Sequence, residues 1–136
     1  MSQRTIELHN RGVAAIDARE LSDELFEELC DPDLRMENTS TAVTDKTYHG
    51  AEGVREWISD FFDAFAEEAR YETEEIVADG DDFVVSVVRI VGRGARSGAP
   101  LTLRWVSVAW FHGDKLTRAV GYLSRREALR SVGLAG

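Results

Sequence analysis

Three segments decide the fold of this chain: FVVSVVRIVG (83–92), LTLRWVSVAWFH (101–112) and KLTRAVGYL (115–123). They are rich in β-branched and aromatic residues and are bounded by Gly, Asp and Pro, a pattern that predicts β-strands. Helical patterns come before them along the chain. We therefore predict an α+β fold in which helices cover one face of an antiparallel sheet.

The hairpin between the last two segments assigns side chains to faces of the sheet. Its two-residue loop, Gly113-Asp114, pairs His112 with Lys115, and side chains alternate along each strand. We therefore predict an inner face made of Leu103, Trp105, Ser107, Ala109, Phe111, Leu116, Arg118, Val120 and Tyr122.

The outer face of the same hairpin is predicted to be an interface. Val106, Val108 and Trp110 stand there beside the small residues Ala119 and Gly121. Left in water, they would form a contiguous apolar patch, which soluble monomers rarely expose. We therefore predict a homodimer that buries Val106, Val108 and Trp110 at a two-fold interface.

Composition limits the class of protein. The 136 residues have the length of one domain, which we assign to 1–136. The net charge of −9 argues against nucleic-acid binding, because that needs a basic surface. No run approaches the ~18 apolar residues of a membrane span. The N-terminus lacks a signal core and Cys30 is the single cysteine, so we expect a cytoplasmic protein.

The remaining elements follow from periodicity and caps. Over Thr39–Gly50 we expect a polar loop, with or without another short strand in it, and Gly133 is expected to stop the last helix. Ser22 and Ser124 are the predicted N-caps of the second and last helices. We predict helices over Ser2–Ala18, from Ser22 to Asp31-Pro32, over Gly53–Ala69 and over Arg125–Val132, with further strands over Leu34–Asn38 and Tyr71–Ala78.

Six short segments carry a family resemblance through their order and spacing: Arg11–Leu21, Asp31–Asn38, Tyr48–Val54, Asp79–Asp81, His112–Leu116 and Tyr122–Leu129. Together they resemble the SnoaL-like group of the nuclear-transport-factor-two-like superfamily, whose relatives include ketosteroid isomerases. The resemblance implies a cystatin-like cone, in which a strongly curved sheet wraps around a long helix and encloses an apolar pocket. It supports the fold more than the chemistry, because this fold hosts many functions.

The chemical groups used by those relatives are missing at the matching positions. The isomerase base, a carboxylate on the first strand, corresponds to Asn38, and an amide cannot take up a proton near pH 7. The isomerase tyrosine corresponds to Gly12. The aspartate and histidine of SnoaL-type cyclases correspond to Ser124 and Ser107. Two hypotheses stay open: a small-molecule-binding protein that retains isomerase-, cyclase- or hydratase-like proton transfer, and a non-catalytic ligand-binding or dimerisation module.

The predicted ligand-pocket residues combine polar and aromatic side chains: His9, Asn38, Trp57, Phe61, Trp105, Ser107, Arg118 and Tyr122. His9 is a core histidine, a surface histidine or a base. Arg118 forms a rim salt bridge with Glu74 or Glu75, or anchors an anionic ligand. Tyr122 donates a hydrogen bond to a ligand or to the backbone. The three histidines lack metal-ligand spacing, so we expect no metal and no cofactor, and a hydrophobic small molecule as the partner.

Overall fold

The computed structural model of the chain describes residues 3–38 and 46–134. The elements, in chain order, are α1 (Gln3–Ala18), α2 (Asp23–Leu29), β1 (Cys30–Asn38), β2 (Thr47–His49), α3 (Gly50–Phe62), β3 (Arg70–Asp79), β4 (Phe83–Arg93), β5 (Pro100–His112), β6 (Lys115–Tyr122) and α4 (Arg125–Ser131). Most of the predicted loop over Thr39–Gly50 lies outside the described residues. No helix in the described ranges is long and apolar enough to cross a membrane.

The six strands form one curved sheet, which confirms the predicted α+β class. Their order is β2-β1-β6-β5-β4-β3. All neighbouring pairs among the described strands are antiparallel except β1 and β6, which are parallel. The parallel pair arises because the chain crosses through α3 to the far edge of the sheet. Three antiparallel connections then bring β6 back alongside β1.

The buried core lies between the helices and the concave inner face of the sheet. It joins Phe26 and Leu29 of α2, Leu34 of β1, and Val54 and Trp57 of α3 to inner residues of β3, β4 and β5. The predicted N-cap of α2 is confirmed, since Ser22 Oγ accepts a hydrogen bond from Leu25 N at 3.1 Å.

The predicted helix over Gly53–Ala69 is wrong at both ends, because α3 spans Gly50–Phe62. The residues after Phe62 pair with the end of β4 instead of continuing the helix. Ala66 N donates to Arg93 O at 2.8 Å, and Ala95 N donates to Ala64 O at 2.9 Å. These long-range hydrogen bonds outweigh the local helical preference.

A β-bulge in β6 corrects the predicted inner face. His112 pairs with Lys115 as predicted and Phe111 with Leu116, but Trp110 pairs with Arg118, so Thr117 is an extra residue. One inserted residue moves every later side chain to the other face. The predicted inward placement of Arg118, Val120 and Tyr122 is therefore wrong: Ala119 and Gly121 face inward in their place.

The outer face of β5 is covered by the chain itself. Val106 is 7% exposed and Val108 is 0% exposed, and they pack in a cluster with Ala128 and, at its edge, Leu129 of α4. Trp110 is half-buried against the same cluster. The predicted apolar patch is thus not open to solvent, because α4 folds back over it. The homodimer stays a prediction, but the exposed apolar patch from which it was inferred is not present.

The last helix has the predicted cap. Ser124 Oγ accepts a hydrogen bond from Glu127 N at 3.3 Å, and Gly133 ends the helix with a φ of +80°. We expect Ser124→Ala to lower the free energy of unfolding by about 0.5–2 kcal/mol, the usual loss for an N-cap. Chemical denaturation measures the loss. The exposed change Arg126→Ala in the same helix is the control and should stay within about 0.5 kcal/mol of the native chain.

Candidate functional site

A cavity lies between α1 and the inner face of the sheet. Its wall is formed by α1 and by inner residues of β1, β5 and β6, and α3 and β3 contribute Val54, Trp57 and Tyr71. The cavity volume is about 90 Å³. One water needs roughly 10–15 Å³ of such space, so the cavity holds several waters or a small organic ring.

Most of the wall is apolar. Leu8, Val13 and Ile16 of α1 face Leu34 and Met36 of β1 across the cavity region, and Ala109, Phe111, Leu116 and Ala119 continue the wall along the hairpin. The alternation in β1, with Leu34 and Met36 buried and Arg35 exposed, follows from the period of two in a strand.

An aromatic cluster closes one side of the cavity. The rings of Trp57 and Trp105 meet edge to face with centroids 5.9 Å apart, and Tyr71 stacks on Trp105 at 5.9 Å. Behind them Phe61 stacks on Trp57 at 4.3 Å. Aromatic pairs in these geometries are stabilising beyond their buried area, so this side of the wall is a rigid surface.

The ionisable groups in the wall are held in neutral form. Burial lowers the pKa of His9 to about 4, and its Nε2 lies 3.2 Å from Thr73 Oγ1. Burial raises the pKa of the Cys30 thiol to about 12, with Lys115 opposing the shift, and burial raises the pKa of the Tyr71 hydroxyl. At neutral pH these three side chains therefore present uncharged polar groups.

Glu37 is the one acidic residue among the described lining residues, and its carboxylate pairs with a cation on the outer side of the sheet. Glu37 Oε2 lies 2.8 Å from Arg118 Nε. The guanidinium of Arg118 also lies over the Trp110 ring, 4.9 Å from its centroid, on the outer side of the sheet. No Lys or Arg is found among the described residues that line the cavity. The charge nearest to this site is therefore an ion pair on the outer side of the sheet.

The side-chain amide nitrogen at the end of β1 has no hydrogen-bond partner among the described residues. Asn38 Nδ2 is buried and forms no hydrogen bond to any described residue. Asn38 pairs across the ladder with Gly121 of β6, and Gly121 pairs with Ser107 of β5. Three neighbouring strands thus place an amide, a bare backbone and a hydroxyl side by side in the wall.

The structure brings five of the eight predicted pocket residues together. His9, Asn38, Trp57, Trp105 and Ser107 line the cavity. Phe61 is buried behind Trp57 and does not line it.

Arg118 and Tyr122 lie on the outer face because of the bulge at Thr117. Arg118 was predicted to form a salt bridge with Glu74 or Glu75, or to anchor a ligand. It forms a salt bridge, but its partner is Glu37. Tyr122 packs near Val106 and Val108 in the cluster under α4.

Many residues of the wall were not predicted as pocket residues, and Tyr71 and Gly12 are the two for which the sequence held a signal. Tyr71 is buried, and the alternation of β3 could have indicated its inward side. Gly12 lies in the middle of α1, where a Cβ would meet no atom within 4 Å. A glycine inside a helix is a signal, because it costs about 0.5–1 kcal/mol relative to alanine.

Within residues 3–38 and 46–134, no three His, Cys, Asp or Glu side chains converge as a metal site requires.

Comparison with known proteins identifies relatives of this architecture. A family model described as a SnoaL-like domain matches residues 10–119. No curated protein matches the chain at a significant level. Among solved structures, a ketosteroid isomerase-like-fold protein from Catenulispora acidiphila, in complex with trimethylamine, is 19% identical (TM-score 0.66; 96% of this chain, 95% of that one).

Two further structures share the fold. TerC, co-crystallised with polyporic acid, is 18% identical, with a TM-score of 0.68 over 90% of this chain and 92% of its own. A cystatin-fold protein from Novosphingobium aromaticivorans is 23% identical, with a TM-score of 0.63 over 89% of this chain and 97% of its own. At these identities the likeness establishes the fold alone.

Proposed function

The chain belongs to the SnoaL-like domain family, and we propose that it binds a small, uncharged and largely apolar molecule inside the cavity. The observation that carries the proposal is the cavity itself, which combines an apolar and aromatic wall with a few neutral polar groups. Ligand sites commonly have this composition. Two of the solved relatives also hold small molecules, trimethylamine in one and polyporic acid in the other.

The distribution of charge supports an uncharged ligand. The described lining residues include no Lys or Arg, and the carboxylate of their one acidic residue, Glu37, is paired with Arg118 on the outer side of the sheet. A charged ligand would give up its hydration without gaining a counterion, which is costly in an apolar site. A neutral ring would instead bury its surface at roughly 25 cal/mol per Å².

The tryptophans provide a direct test of the proposal. Trp57 and Trp105 line the cavity, whereas Trp110 lies on the outer face. We expect α-methylstyrene, an apolar one-ring probe, to shift the indole N–H signals of Trp57 and Trp105 in a saturable way. The Trp110 signal should not move. Equal shifts at all three indoles, or no saturable shift, would show that the probe does not enter the cavity.

Gly12 supplies the matched variants for this test. We expect Gly12→Leu to lower the affinity for α-methylstyrene at least tenfold, because the new side chain would occupy the open space at the α1 wall. Ala14→Leu makes a similar change on an exposed position of the same helix and should leave the affinity unchanged. Unaltered binding in Gly12→Leu, in a folded protein, would place the probe elsewhere.

Proton transfer by His9 is the second candidate function. The observation that favours it is a buried imidazole in the cavity wall that is neutral at pH 7 and can accept a proton. Its pKa of about 4 makes it a weaker base than a free imidazole. A suitable assay follows deuterium incorporation into 2-tetralone in D₂O. Catalysis above the buffer rate that disappears in His9→Gln would support an enzyme, whereas exchange at the buffer rate would leave ligand binding as the function.

A further inference from the structure

The inner face of the sheet carries a polar row that crosses four strands. Asn38 pairs with Gly121, Gly121 with Ser107, and Ser107 with Ser86. The row runs through an otherwise apolar surface, since Met36 precedes it on β1 and Trp105 and Ala109 flank it on β5. Two of its polar atoms, Asn38 Nδ2 and Ser86 Oγ, are buried without a hydrogen-bond partner among the described residues.

The glycine in this row makes room for the asparagine. A Cβ at Gly121 would lie 2.9 Å from Asn38 Oδ1 and 3.2 Å from Trp105 Cδ1. Real Cβ atoms do not approach neighbours that closely without displacing them. Both side chains therefore close over the bare backbone of β6, and the Asn38 amide lies beside the edge of the Trp105 indole in the cavity wall.

An unpaired amide donor in this position has a cost. Leaving a buried donor unsatisfied costs about 1–3 kcal/mol, and an aliphatic residue at position 38 would avoid that cost. Ser86 differs from Asn38 in its position. It is 0% exposed and is not among the residues that line the cavity. Asn38 lines the cavity, so a rotation of its side chain brings the buried amide nitrogen to a molecule bound there, and the Ser86 hydroxyl has no such route.

We propose that Asn38 Nδ2 donates a hydrogen bond to the carbonyl oxygen of an uncharged ligand and thereby selects carbonyl compounds. This inference rests on the proposed function, because it requires a ligand in the cavity. The acceptor is a neutral carbonyl and not a carboxylate, since no cationic side chain among the described lining residues would compensate a buried anion. Asn38 is a positioning and specificity residue in this account.

Three probes of nearly equal shape distinguish a neutral carbonyl ligand, an apolar ligand without a carbonyl and an anionic ligand. They are acetophenone, α-methylstyrene and benzoate. Acetophenone and α-methylstyrene differ in a C=O against a C=CH₂ group, and benzoate carries a charge. Because acetophenone is better hydrated than α-methylstyrene, the informative quantity is the ratio of their dissociation constants, compared between the native protein and a variant. Asn38→Leu removes the donor, and Asn38→Ala serves in the same way should Asn38→Leu fail to fold.

We expect Asn38→Leu to weaken acetophenone relative to α-methylstyrene by about tenfold, the effect of losing one buried hydrogen bond. Acetophenone should also move the Asn38 side-chain amide proton signals of the native protein downfield. Benzoate should bind at least tenfold more weakly than acetophenone at pH 7. Ser86→Ala, which removes the other unpaired group in the row, is the control and should leave the ratio unchanged.

The outcomes distinguish this inference from the proposed function. An unchanged ratio in Asn38→Leu, with α-methylstyrene still shifting Trp57 and Trp105, would overturn the Asn38 anchor and leave the binding cavity intact. Benzoate binding as tightly as acetophenone would overturn the selection for neutral carbonyls. Failure of all three probes to shift Trp57 and Trp105 would overturn the binding function and the anchor with it.

Discussion

Trp57→Ala is expected to lower the free energy of unfolding by about 3–5 kcal/mol, the range for removal of a large buried aromatic side chain. Trp57 is 3% exposed and contacts three other rings: it stacks on Phe61 at 4.3 Å and meets Tyr71 and Trp105 edge to face at 5.8 and 5.9 Å. The substitution removes the ring at the centre of this cluster and enlarges the cavity. The loss of buried apolar surface and the loss of packing contacts therefore both lower the free energy of unfolding.

Denaturant titration of the native chain and of two further variants measures this effect. Trp57→Phe keeps an aromatic ring and should cost less than half as much. Trp110→Ala removes the same side chain from the outer face, where it is half-buried, and should also cost less. A loss below about 1 kcal/mol for Trp57→Ala would mean that the aromatic cluster is not the packed centre of the core.

The second large effect is a pH dependence of stability that originates at His9. Burial lowers the pKa of His9 from 6.5 to about 4, and the side chain is 7% exposed. Between these two values the unfolded chain binds a proton at His9 that the folded chain does not. Stability therefore rises with pH across this window and is lost as the pH falls from about 6.5 to about 4. The expected loss is about 3 kcal/mol.

The measurement compares denaturation midpoints of the native chain and of His9→Gln from pH 4 to pH 7.5. Carboxylates also contribute at the acid end, because the Arg70 hydrogen bond lowers the pKa of Asp17 and the Tyr48 hydrogen bond lowers the pKa of Asp60. These groups are present in both proteins, so the difference between the two curves isolates His9. Parallel curves would show that His9 is not buried in neutral form.

The strands were predictable because their signal is local. Runs of β-branched and aromatic residues bounded by Gly, Asp and Pro predicted β4, β5 and β6 to within a residue or two. The Ser22 and Ser124 caps were predictable for the same reason, since a cap needs only the residues of the first helical turn. The placement of Trp57 and Trp105 in the cavity wall followed from amphipathic periodicity in one case and strand alternation in the other.

The features that could not be predicted from the sequence depend on contacts between distant segments. The end of α3 is set by hydrogen bonds between the residues after Phe62 and the end of β4. No local sequence pattern predicts these hydrogen bonds. The bulge at Thr117 leaves no clear mark in the sequence either, yet it decides the face of Arg118 and Tyr122. Covering of Val106 and Val108 by α4 likewise becomes visible only when the chain has folded back on itself.

The bulge at Thr117 also explains why the cone contains empty space. With regular pairing, Arg118, Val120 and Tyr122 would point inward and would fill much of the interior. The extra residue exchanges them for Ala119 and Gly121, the smallest side chains of β6. The empty space thus depends on the number of residues between two points of the chain as well as on the small side chains that this number turns inward. Removal of this one extra residue from β6 is therefore expected to turn the larger side chains inward and to fill the cavity.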